Sequence, residues 1–137
     1  MGDHDFYLER INPEGMLKSP AFSQGILVPG NARLLVIGGQ NGVDSSGQIV
    51  AKDLAGQAGK AVDNLIRVLE AAGGQLEDLV RIGIYIKGDA DIRPAFGAWM
   101  ARWGQRQNPP AITVLRVAGL GMSPDVLIEI EATAALK

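Results

Sequence analysis

The chain has 137 residues, 47% of them hydrophobic and 20% charged, which is enough apolar material for the core of one ordinary domain, so residues 1–137 are expected to form one. It has no cysteine and a single histidine, His4 near the amino terminus, which excludes disulfides, thiolate catalysis, cysteine-ligated metals and a Ser-His-Asp hydrolase site. A formal net charge of −2 with scattered basic residues gives no general attraction to a phosphate backbone, and no stretch reaches the ~18 apolar residues of a membrane span. The expectation is a cytoplasmic protein with no cofactor or metal, and with neither nucleic acid nor membrane as a partner.

In chain order, strands are expected at Phe6–Ile11, Ser23–Val28 and Leu34–Gly39, where β-branched residues are flanked by turn residues. Gly38-Gly39-Gln40-Asn41-Gly42 then reads as a strand end and turn; it lacks the Lys-Ser/Thr of a phosphate loop and opens no helix. A helix is expected over Leu54–Ala72, because Ala58, Ala61, Val62, Leu65, Val68, Leu69 and Ala72 recur at helical spacing, with Asp53 as cap and Gly73-Gly74 as stop. Val80, Ile82, Ile84 and Ile86 alternate with Arg81, Gly83, Tyr85 and Lys87, the period of a strand with one buried face. A second helix follows over Ala90–Trp103, with Pro94 in its first turn and Phe96, Trp99, Met100 and Trp103 as a bulky face. Strands at Ile112–Val117 and Leu127–Ala134 close the chain, with Leu120–Asp125 expected to be a hairpin loop between them. Two helices cover one face of a six-stranded mixed sheet, leaving apolar residues on the other for self-association to bury.

Glu129 and Glu131 project to one side of the last strand, opposite Ile128, Ile130 and Ala132. They read either as a solvated face or as a carboxylate in a cleft acting as general base. Ile112, Val114 and Arg116 share a side of their strand by the same parity. Arg116 is either a ligand anchor or a cross-strand partner for a glutamate. Trp99 and Trp103 read as core or interface rather than as platforms for bases.

Three segments together resemble the Rid family, also called YjgF or L-PSP endoribonuclease. They are Pro20-Ala21-Phe22-Ser23-Gln24-Gly25; Asp63-Asn64 leading to Leu69-Glu70-Ala71-Ala72-Gly73; and Pro110-Ala111 followed by Val117-Ala118 and Ile128-Glu129-Ile130-Glu131-Ala132. The resemblance implies a chorismate-mutase-like α/β (α+β) fold, a homotrimer, and a small-molecule pocket at each subunit interface. It also implies hydrolysis of reactive imines to keto acids and ammonia, with an arginine after the Pro-Ala pair gripping the substrate carboxylate.

That position is Ile112 here, which offers neither charge nor donor. The family's tyrosine falls on Phe22, its serine before Gly-Gln on Gly38 beside Gly39, its helix asparagine near Phe96 and its cysteine on Val114. Glu129 stands where the family keeps a glutamate thought to place the attacking water. Candidate site residues are therefore Glu129 as catalyst and Phe22, Gly38, Gly39, Phe96, Ile112 and Val114 as substrate contacts. Glu129 is expected to be surrounded, and desolvated, by Ile112, Val114, Phe22 and Phe96. The functional expectation is a deaminase-type hydrolase of altered substrate class; the alternatives are a ligand-binding or sensing module without chemistry, or the ribonuclease or translation-inhibitor activity that the family name records.

Overall fold

The computed structural model describes residues 8–137, so His4 and the opening of the strand expected at Phe6–Ile11 lie outside the described residues. Two short strands, β1 (Glu9–Ile11) and β2 (Gly25–Leu27), pair antiparallel. They are followed by β3 (Arg33–Gln40), helix α1 (Leu54–Ala71), a 3-10 turn (Leu76–Asp78), β4 (Leu79–Lys87), helix α2 (Arg93–Trp103), β5 (Ala111–Val117) and β6 (Ile128–Leu136). The expected strands and both helices are present, and the class is α+β with a mixed sheet.

The strands are divided, however: β1 and β2 form a ribbon of their own beside a four-stranded sheet of order β3-β6-β4-β5. β4 and β5 run parallel, and β6 is antiparallel to both β3 and β4. This corrects the hairpin expected at Leu120–Asp125. A parallel β4–β5 pair needs a crossover, which α2 supplies, and because β6 inserts between β3 and β4, β5 is left at the sheet edge with β4 between it and β6. The segment after β5 is a connection across β4, and the strand of Ile112 neighbours β4 rather than the glutamate strand.

α1 buries Ala58, Ala61, Val62, Leu65 and Leu69, the stripe expected from helical spacing. Its end is fixed by two reverse bonds, Gly73 N–H to Glu70 O at 3.0 Å and Gly74 N–H to Leu69 O at 2.8 Å, with Gly73 at φ 82° where a side chain would be strained. Asp53 occupies the cap position, but its side chain makes no capping hydrogen bond. α2 begins at Arg93, three residues later than expected, because the Asp91 carboxylate accepts the Arg93 backbone N–H at 3.0 Å and holds the preceding turn outside the helix. Trp99 and Trp103 are both buried, stacked 5.5 Å apart, and belong to the core.

Register fixes which side chains share a face. Ile82 pairs with Ile112 and Ala132, Ile84 with Val114 and Ile130, and Ile86 with Arg116 and Ile128, so all of these lie on the helix-covered side. Arg81, Tyr85, Glu129, Glu131 and Thr133 occupy the other, open side, together with Leu34 and Val36 of β3. Leu34 and Val36 are exposed apolar residues of this face, and its middle is charged.

Candidate functional site

Between the sheet and α2 lies a cavity of about 300 Å³. Its floor is formed by Ile82, Ile84 and Ile86 of β4 with Ile112 and Val114 of β5, and its wall by Phe96 and Trp99 of α2. Among the described residues, every one that lines it is apolar. Phe96 and Val114 are about half exposed, so the cavity opens at the β5 edge.

Phe22 reaches this cavity because the segment carrying it is tied to the start of β5. The Ser23 backbone N–H donates to Pro110 O at 3.0 Å, and the buried Ser23 hydroxyl donates to Pro109 O. Phe96 is presented by the first turn of α2. Four expected contact residues, Phe22, Phe96, Ile112 and Val114, therefore line one cavity.

Glu129 is elsewhere. It pairs with Tyr85 on the open side, and its carboxylate lies over Gly39, where an added Cβ would meet the carboxylate carbon at 2.7 Å. A bulge at Gly38-Gly39, between the paired residues Ile37 and Gln40, makes the approach possible. Asn41 holds the carboxylate: its side-chain amide donates to Glu129 Oε1 at 3.1 Å and to Ile128 O at 3.3 Å. Asn64 of α1 holds that loop in turn, donating to Asn41 O at 3.1 Å and Val43 O at 3.0 Å. The expected residues thus fall into two groups on opposite faces of one sheet, and within one chain Glu129 is not surrounded by Ile112, Val114, Phe22 and Phe96. The physical reason is parity: Glu129 and the cavity-lining Ile128 and Ile130 alternate along β6.

Arg116 is not the partner of a glutamate, since the glutamates face the other way; it donates to Gly88 O at 3.2 Å and Ala90 O at 2.8 Å. Three positioning residues escape a reading by composition and spacing: Asn41, Asn64 and the buried Gln57, which donates to Ala51 O and Asp125 O at 3.0 Å each and accepts Leu127 N–H at 2.8 Å. Asn64 lies in one of the segments carrying the family resemblance, which was the available signal.

The open face carries its own cluster. Arg81 lies 3.6 Å from Glu131, and the Tyr85 hydroxyl donates to the Glu131 carboxylate, which raises the phenol above its ordinary pKa. Between the helices, Arg102 grips Asp63 with two bonds of 3.0 and 3.1 Å, and that hydrogen bonding holds the Asp63 carboxyl below its ordinary range. Among the described residues there is no group of three side chains able to hold a metal ion, and no helix is long and apolar enough to cross a membrane.

The sheet, its order and its two covering helices define a chorismate-mutase-like α+β protein. Residues 16–136 match the Endoribonuclease L-PSP family model, and the chain belongs to that family, whose members also carry the names Rid and YjgF. A RutC family protein of Pyrococcus horikoshii is 35% identical over 73% of this chain and 77% of its own length. A 2-iminobutanoate/2-iminopropanoate deaminase of Salmonella typhimurium is 31% identical over 74% of this chain and 78% of its own. The crystal structure of a Rid family protein from Yersinia pestis superposes with a TM-score of 0.84 at 32% identity, covering 95% of this chain and 99% of that one.

Proposed function

We propose that the chain is a deaminase-type hydrolase of altered substrate class whose site is completed between copies, in a homotrimer, when the Glu129 face of one subunit meets the apolar cavity of the next. The observation that carries this is the segregation of the expected site residues into two groups that no single chain brings together. Glu129, fixed by Asn41, takes a proton from water as its oxygen attacks an imine carbon, and returns it to the nitrogen to give a carbinolamine. The remaining hydroxyl proton then passes to nitrogen, the C–N bond breaks, and a carbonyl and ammonia leave.

Ile112 cannot grip a carboxylate in the place where the family does, so the substrate is larger and more apolar than the small amino-acid-derived imines. Little activity is expected on the imines of pyruvate and 2-ketobutyrate. In a screen of apolar imines, Glu129→Gln abolishes ammonia release while leaving ligand-dependent thermal stabilisation in place; unchanged turnover in that variant refutes the catalytic assignment. The wholly apolar lining favours a second reading, a binding or sensing module. It is distinguished by ligands that stabilise the wild-type protein with no product formed.

A further inference from the structure

We infer that the cavity takes an amphipathic monoanion, its apolar body lying along β5 and its carboxylate held at the rim by Arg116. The inference rests on the reading that the cavity is a ligand site. Arg116 follows Ile112 and Val114 on the same side of β5 and pairs with Ile86, itself a cavity residue. Among the described residues its guanidinium is anchored through Nη1, to the carbonyls of Gly88 and Ala90 on the turn that leads into Ile92, another lining residue. Those partners are neutral, and the side chain is exposed.

The other charges on that turn do not cancel it. Asp91 is engaged chiefly by Arg93, through bonds of 3.0 Å from Nε and 2.8 Å from Nη2, and only through space, as the weakest of its interactions, by Arg116. Asp89 is exposed on the adjoining turn, and the glutamates of β6 are on the opposite face of the sheet. An oil-lined channel with a cation at its mouth selects an acid with an apolar tail, because the tail gains burial while the carboxylate stays at the surface in a charge-assisted contact. Four residues of strand separate Arg116 from Ile112, about 13 Å. A short keto or imino acid seated at Ile112 cannot span that distance, whereas a medium-chain acid can.

The protein carries its own reporter: it has two tryptophans, Trp99 lines the cavity and Trp103 stacks on it. Octanoate, 1-octanol and acetate are titrated against the full-length protein with tryptophan fluorescence as readout. Octanoate is expected to bind about tenfold more tightly than octanol, and acetate not at all. Arg116→Gln removes that gap by weakening octanoate alone, and Arg116→Glu reverses it; Val114→Phe, which narrows the mouth, weakens both ligands. Equal binding of octanoate and octanol, with no effect of Arg116→Gln, overturns the carboxylate contact and leaves the apolar site standing. If neither ligand perturbs the tryptophans or raises the melting temperature, the ligand site itself falls.

Discussion

The two faces of the sheet are built from the same strands and carry opposite chemistry. Along β6, Ile128, Ile130 and Ala132 are buried under the helices, while Glu129 and Glu131 between them look out on the open side. Along β4, three isoleucines line the cavity and Arg81 and Tyr85 form a charged cluster with Glu131. Alternation at a period of two lets one strand present an apolar cavity lining and a row of carboxylates at once, yet it also sets the two on opposite faces of the sheet. A second copy is the economical way to unite them.

The largest expected effects test this division directly. Leu65 is fully buried on the inner face of α1, and Leu65→Ala should cost about 3 kcal/mol of stability through lost burial and the space left behind. Val36 is 77% exposed on the open side, and Val36→Lys should change the intrinsic stability of the chain by no more than about 0.5 kcal/mol. If the open face is an interface, however, the same lysine should shift the assembly to smaller species in sedimentation velocity. Denaturant midpoints that fall equally for both substitutions would erase the distinction between a covered and an open face.

The alternation on β4 and β6, and the stripe on α1, were readable from residue order because each needs only local periodicity. Which strands lie side by side was not. The β5–β6 connection reads as a hairpin because turn residues at Leu120–Asp125 are compatible with several geometries, and only the sheet order, with β6 between β3 and β4, rules the hairpin out. The same gap hid the separation of Glu129 from Ile112: parity assigns each a side within its own strand, but only sheet order says which sides coincide. The family resemblance groups Phe22, Phe96, Ile112 and Val114, and these four side chains line one cavity. Asn41 and Gln57 act through backbone groups distant in sequence, to which no local pattern points.

A smaller effect concerns the covered side. Asp63 titrates below its ordinary value in the folded chain because of Arg102, so its contribution is present above the unfolded value of 3.8 and is lost as pH falls through the lower folded one. The pair is partly exposed, and Asp63→Asn should cost about 0.5 kcal/mol at neutral pH. In acid, at pH values below the folded one, the variant should match the wild type. A stability gap that persisted unchanged into that range would mean that the substitution acts through something other than the ion pair.

The smallest effect concerns the open face and is read spectroscopically. The Tyr85 phenol is raised chiefly by its hydrogen bond to Glu131, while Arg81 acts in the opposite sense. Glu131→Gln should therefore bring the phenolate transition of Tyr85 down towards the ordinary range, and Arg81→Gln should push it further up, with Tyr7 as the only other tyrosine to subtract. Opposite displacements from two substitutions on one face separate a specific cluster from general loosening, which would move both variants the same way. Shifts in the same direction for both variants in alkaline absorbance titrations would therefore show that Glu131 and Arg81 do not act on the Tyr85 phenol in opposite senses.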